Sequence, residues 1–438
     1  MKITLFTLLA CLFFAGLSAH AQAPDEPNEA KRKLIDTLTY QTQSGLPIAA
    51  SKIYFSDAKF TFSGFGESNF INYLGPKNTE SNDLELYYTN LQRFVTYAAW
   101  KPKKWLVIYG EFFAELVNDG NRETHFEYLP ELFVDFLIDD RFNVRVGSHQ
   151  PAIGYINNND EPVMFYTVNR PEVERVIIPS QWIDFGVMTY GNLTKDLKWS
   201  VSAYQGLDAH KLNGATWIRR GRDETLRFNF NSFLLNSKLV YKGIKDTELS
   251  VSGIWTRIGD DLQSNGSSEK IRANTMLLSS YARHTHKNWT FMALGTFGRM
   301  NNTDQLFELT RHGSNGPQVL GERVYGYYTE VSYDILPLLG FSPKKEGAKD
   351  NFFVKRAEFK LPVFARFERL NTHAGVNEKL VNEAKSQSDL TTLTMGVNFN
   401  PRRNIVVKSN YQVRWNKAPL ESQLHEGNRF ELGMGFIF

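Results

Sequence analysis

Cysteine is almost missing from this chain. The one cysteine in 438 residues is Cys11, and it lies in an N-terminal stretch with the marks of an export signal. The rest of the chain has no disulfide, no thiolate nucleophile and no cysteine-based metal site. An excess of one charge sign is missing too. Lys and Arg number 50 against 47 Asp and Glu, a formal net charge of +3, which excludes a polybasic nucleic-acid binder. Long hydrophobic runs are absent beyond Ala21. The longest uncharged apolar piece, Ile335 to Phe341, has seven residues and contains Pro337. A spanning helix needs about 20. The chain is therefore either exported and soluble or crosses a membrane as a closed barrel, because lipid leaves no backbone group unpaired.

Aromatic residues are abundant. Phe, Tyr and Trp make up 14% of the chain, as 33, 19 and 8 residues. A soluble core does not need that many large rings spread evenly along a sequence. An outward face against lipid, rimmed by aromatic girdles, does.

The N-terminus reads as a signal peptide over residues 1–21. Lys2 supplies the positive charge, Ile3 to Leu17 is almost wholly apolar, and Ala19-His20-Ala21 is a small-x-small cleavage site. The rival lipobox, Leu8-Leu9-Ala10-Cys11, follows a very short apolar stretch that continues past it. Residues 22–57 are polar and poorly patterned and are expected to be a periplasmic leader. A transmembrane β-barrel is expected over 58–438.

From Phe60 onward, segments of about 8–15 residues alternate apolar and polar with period two, the mark of strands with one apolar face. They fall near 60–74, 91–100, 105–117, 128–138, 142–150, 184–191, 197–205, 233–242, 247–257, 273–285, 288–300, 324–335, 358–369, 390–399, 404–415 and 428–438. These predict an all-β, up-and-down antiparallel barrel of about 16 strands. The connections alternate between short, such as 101–104 and 400–403, and long, such as 75–90, 151–183 and 206–232. Only 336–357 breaks the rule. In an outer-membrane barrel the short turns are periplasmic and the long loops external.

The pleat assigns the faces. Phe430, Leu432, Met434, Phe436 and Phe438 point to lipid, and Arg429, Glu431, Gly433 and Gly435 point inward. On 358–369 the lipid set is Phe359, Leu361, Val363, Ala365 and Phe367. The same parity puts Arg145, Lys198, Lys360, Arg366, Lys408, Arg414 and Arg429 in a water-filled lumen. It puts Glu111, Glu115, Glu131, Asp135 and Glu248 there as well, with Glu330, Asp334, Glu358, Glu368 and Glu431. Charge on this wall is mixed and mandates neither ion sign. Arg145, Arg366, Lys408 and Arg414 are the foremost candidates for solute contact.

The terminal FELGMGFIF is the sharpest short signal. Its strict alternation suits a strand that closes the barrel, and Phe438 is expected to be read by the outer-membrane assembly machinery. The longest connection, 151–183, carries Asp160, Glu161, Arg170, Glu172, Glu174 and Arg175. It is expected to fold inward as a constriction loop. His284-x-His286 shares one strand face, but two ligands do not make a metal site. Gly64-Phe65-Gly66 opens no helix and is read as easing a strand bend. No nucleophile–base–acid arrangement is evident among the nine histidines and their neighbours, so neither an enzyme nor a cofactor is expected. No plug domain is expected before residue 60.

Five stretches together resemble the phosphate-selective porin O and P family of outer-membrane porins. They are FNVRVGSHQPAIG at 142–154, NRPEVERVIIPSQWIDFGVMTYG at 169–191, LPVFARFERLNTH at 361–373, TMGVNFNPRRNIVVKSNYQ at 394–412, and the terminal FELGMGFIF. The resemblance implies a sixteen-stranded barrel, usually trimeric, with a loop constricting each pore. Lipid, lipopolysaccharide and small solutes or ions are then the expected partners. The implied function is passive diffusion of small hydrophilic or charged solutes across the bacterial outer membrane. The alternative is a binding or structural barrel, or part of a surface uptake complex.

Overall fold

The computed structural model describes residues 38–74, 90–118, 124–127, 131–222, 232–259, 270–311, 316–341, 354–384, 387–417 and 427–438. The expected signal, residues 1–21, lies outside them, as does the leader up to residue 37.

The alternating segments form one antiparallel sheet. Its strands are β1 (Phe60–Leu74), β2 (Asn90–Lys103), β3 (Leu106–Asn118), β4 (Thr124–Glu127), β5 (Glu131–Leu137) and β6 (Asn143–His149). Next come β7 (Asp184–Thr194), β8 (Leu197–Gln205), β9 (Phe233–Tyr241), β10 (Thr247–Ile258), β11 (Ala273–His286) and β12 (Trp289–Met300). The last are β13 (Arg323–Asp334), β14 (Pro362–Gly375), β15 (Asp389–Arg402), β16 (Ile405–Asn416) and β17 (Asn428–Ile437). Both β4 and β5 pair with β3, so they are two pieces of one stave, and the barrel has sixteen staves.

Closure joins the last strand to the first. Phe65 lies opposite Ile437 and Leu74 opposite Asn428. At the end of that ladder, Gly64 N–H donates to Phe438 O at 3.1 Å and Phe438 N–H returns to Gly64 O at 2.9 Å. The first and last strands are thus paired on both sides, as a closed sheet requires. A Cβ on Gly64 would stand 2.0 Å from the Val95 carbonyl oxygen, so only glycine lets β1 and β2 approach this closely.

Parity holds along the strands. Phe430, Leu432 and Met434 are exposed on the outside, while Arg429 and Glu431 are buried within. Aromatic pairs ring the short-turn end, with Trp105 on Phe136 and Trp289 on Tyr333. One strand is displaced from its expected place. Pro362, which has no N–H to give, starts β14. Glu358 instead sits in a 3-10 turn, bound by Lys355 Nζ at 2.7 Å and Arg403 N–H at 3.2 Å. Glu358, Phe359, Lys360 and Leu361 therefore lie at the rim below the strand, and Lys360 is exposed to solvent.

The interior is not the open water-filled bore that the polar faces imply. The inward sides of β9 to β13 carry Leu234, Ile254, Leu277, Leu294 and Tyr328. Packed on them are Ile153, Ile156, Val173, Val176 and Ile178 of the loop 150–183, together with Leu212, Trp217 and Ile218 of the next long connection. Each such burial contributes about 1.5–3 kcal/mol, and the loop is inside the barrel because its apolar residues find a wall there.

Candidate functional site

The loop joining β6 to β7 enters the lumen as expected and meets the wall along two unlike seams. The apolar seam faces β9 to β13. There Glu174 ties the loop to itself and to the wall. It accepts the N–H groups of Tyr155 and Ile156 and the Tyr328 hydroxyl, each at 2.7 Å. Asn236 brackets Ala152, accepting its N–H at 3.0 Å and donating to its carbonyl at 3.1 Å.

The second seam, against β14 to β17, is polar and basic. Pro171 precedes a single helical turn, Glu172–Val176, which sets Glu172 and Arg175 three residues apart on one side. Glu172 then receives Arg175, Arg414 and Arg429 together. Burial would raise its carboxyl, but the three guanidinium groups outweigh burial and hold it well below the usual carboxylate range. Next along the loop, Arg366 donates to Thr167 Oγ1 and also pairs with Glu330 at 3.0 Å. Lys408 Nζ donates to Thr167 O at 2.9 Å, and Asn410 Oδ1 accepts Val168 N–H at 2.7 Å. A Cβ on Gly435 would lie 2.4 Å from the Pro162 side chain, so a glycine on the inward face of β17 admits the loop.

The residues put forward for solute contact are thus engaged with protein. Arg366, Lys408, Arg414 and Arg429 clasp the loop. Arg145 is sealed under the wall, paired with Asp135 at 2.9 Å and set over the rings of Phe133 and Tyr190. Glu368 is buried and accepts from Thr392 at 3.3 Å. Lys360 is exposed before the start of β14, bridged to Asn400. Arg170 lies beside Asp160, whose carboxylate accepts from Gln181.

Residues 38–56, counted by sequence in the leader, are packed in the short-turn end of the barrel. Leu46, Ala49, Ala50 and Ile53 lie against Phe65, Val95, Tyr97, Tyr109 and Phe133. Ala49 N–H donates to Glu161 Oε1 at 2.7 Å, and Tyr54 OH donates to Asp135 at 2.7 Å. Leader polarity hid this, because four scattered apolar residues make no period. Under this segment lie the buried carboxylates Glu111, Glu115, Glu131, Asp160 and Glu161, with Arg93 bridging Glu67 and Glu115.

Beside it a polar cavity of about 270 Å³ remains. Its wall includes Lys198, Lys238, Lys242 and Arg283, with Glu248 as the one wall carboxylate. Glu248 is itself held by Lys242 at 2.7 Å and by the Tyr281 hydroxyl at 2.6 Å. Among the described residues, Lys198, Lys238 and Arg283 have no carboxylate within ion-pair distance. Lys238 donates to Gly154 O at 2.9 Å. Sequence parity named Lys198 but passed over Lys238 and Arg283, which alternate with the outward residues of β9 and β11 and were findable by the same rule. At the turn end of β11, His284 Nδ1 lies 2.8 Å from Thr247 Oγ1. Among the described residues no group of three or more His, Asp or Glu is placed to hold a metal.

The comparisons agree on architecture. No family model matches the chain. An uncharacterized protein of Aquifex aeolicus (strain VF5) is 23% identical over 382 residues, covering 85% of this chain and 79% of that protein. Three solved structures share the fold. The outer membrane channel DcaP of Acinetobacter baumannii has 9% identity and a TM-score of 0.52, over 86% of this chain and 97% of that one. OprB of Pseudomonas putida has 10% identity and a TM-score of 0.52, over 86% and 94%. Salmonella typhi OmpF in complex with daunomycin has 9% identity and a TM-score of 0.51, over 86% and 97%. The chain is a closed antiparallel barrel of sixteen staves, the fold these channels share.

Proposed function

We propose that the protein is a passive diffusion channel of the bacterial outer membrane that favours small anionic solutes. The short turns then face the periplasm and the long loops the exterior, and the outward apolar face meets lipid and lipopolysaccharide. The carrying observation is the cavity wall of Lys198, Lys238, Lys242 and Arg283 against Glu248. Counting charges by face gave no preferred ion, but a charge acts on a solute through water. The carboxylates at 111, 115, 131, 160 and 161 are buried, as is Lys238, whereas Lys198, Lys242 and Arg283 keep exposure at the cavity wall. A passage ringed by cations favours anions.

The resemblance to the phosphate-selective porin O and P family supports this reading and carries with it a homotrimer. The trimer is tested by the mass of the detergent-solubilised particle. The channel is tested by the reversal potential in a potassium chloride gradient across a planar bilayer. Chloride preference is expected. Potassium preference would overturn the ion sign, and silence from folded protein would overturn the channel. The packed interior favours a second reading, a barrel that binds a ligand with negligible flux. Saturable tight binding without conductance would support it.

A further inference from the structure

The interior holds more than a constriction loop. Residues 38–56 touch the short-turn end at three separated points. Lys198 Nζ at the start of β8 reaches Thr42 O at 3.5 Å. Lys101 Nζ on β2 donates to Ile53 O at 2.9 Å and Ser56 O at 2.5 Å. Arg403, in the turn between β15 and β16, stacks 3.9 Å from the centre of the Tyr40 ring. A segment tethered to three such separated staves crosses the bore.

That segment adds no strand to the wall. Its backbone bonds Leu46 to Gln43, Ser51 to Pro47, Lys52 to Ala49 and Tyr54 to Ser51 close within itself. The ladders of β1 with β2 and with β17 are complete beside it. Withdrawing the segment therefore breaks no strand pairing. What would be lost is a small set of latches: Ala49 N–H on Glu161, Ser63 Oγ on Ala49 O at 2.7 Å, Tyr54 on Asp135, and Asn158 Nδ2 on Gly45 O at 3.2 Å. Lys52 is the one formal charge from Leu38 to Ser56, so little ionic attraction binds the segment to its site. The segment also lines the cationic cavity, through Tyr40, Thr42, Gly45 and Ile48.

We infer that residues 38–56 are an internal plug that gates the lumen from the short-turn end and is latched to the constriction loop through Glu161. This rests on the channel reading above. A plug domain was not expected before residue 60, and a nineteen-residue stretch folded back on itself does the blocking instead. Coupling to the loop is direct, because Glu161 belongs to the loop while Ala49 belongs to the plug.

The test is single-channel recording in planar bilayers on three full-barrel proteins. They are the full chain, a Glu161→Ala, Ser63→Ala double variant, and a variant lacking residues 38–56. Folding of each is checked by the heat-dependent shift in gel mobility. The full chain should show brief openings, the double variant an open probability raised at least about fivefold, and the deletion a continuously open level. If the deletion does not fold, the double variant decides alone. Equal conductance and open probability in the folded proteins would overturn the plug and leave the channel standing. Silence in every folded protein would overturn both.

Discussion

Glu172 is the residue on which the polar seam converges. Three arginines meet one carboxylate with no exposure to solvent. Removing one member of a buried ionic group leaves the others uncompensated and costs roughly 3–5 kcal/mol. Glu172→Ala is therefore expected to destabilise the seated loop by about that much, measured by denaturant unfolding of the detergent-solubilised protein. Conductance should rise with it. A variant with unchanged stability would show that the arginines repair with other acceptors. Gly64 makes a second prediction at this scale. A side chain there must displace the Val95 carbonyl, so Gly64→Val should fail to close. The folded band in unheated gels should be lost, while Ala98→Val, on an outward position, should keep it.

At the level of elements, the contact between the loop and residues 38–56 depends on pH. Burial pushes the Glu161 carboxyl up to about 8; Asp160 adds to this, while the N–H groups of Ile48, Ala49 and Ala50 oppose it. Burial also pushes Asp160 up to about 6, against Arg170 and Arg93. Tyr97 of β2 and Tyr109 of β3 also lie in electrostatic reach of Glu161. Both folded values lie above the ordinary range near 4. The folded state therefore binds the extra protons, and its stability falls as pH rises from about 4 through about 6 and about 8. Thermal midpoints between pH 5 and pH 9 should decline for the natural chain. The decline should be shallower for Glu161→Gln, and an equal slope in both would remove Glu161 from the account. Strand positions were readable in sequence to within a few residues, as β1, β8 and β17 show. The start of β14 was placed too early because the alternation of 358–369 runs straight through Pro362, whose missing N–H interrupts the ladder between the Lys360–Asn400 bridge and the strand.

For the whole molecule, the decisive quantity is the charge that meets water. Reversing Lys198 and Arg283 together to Glu should move the reversal potential toward the potassium value, while reversing the clasped Arg414 should chiefly disturb the loop. An identical reversal potential in the Lys198, Arg283 double variant would separate the cavity from the conduction path.

Period-two alternation, a terminal apolar strand and connections of alternating length determined the closed barrel by themselves, because backbone pairing and one apolar face admit few other solutions. Parity even named the inward residues. It did not tell which of them stay wet. Arg366, Lys408, Arg414 and Arg429 occupy the same kind of position as Lys198 and Arg283, yet a loop from far along the chain binds the first four, through Thr167 and Glu172, and the last two face the cavity. That division, and the burial of residues 38–56, arise from contacts between segments far apart in the chain, 241 residues for Lys408 and Thr167 and 81 for Tyr54 and Asp135. Local pattern carries no record of such contacts, so only the tertiary structure decided them.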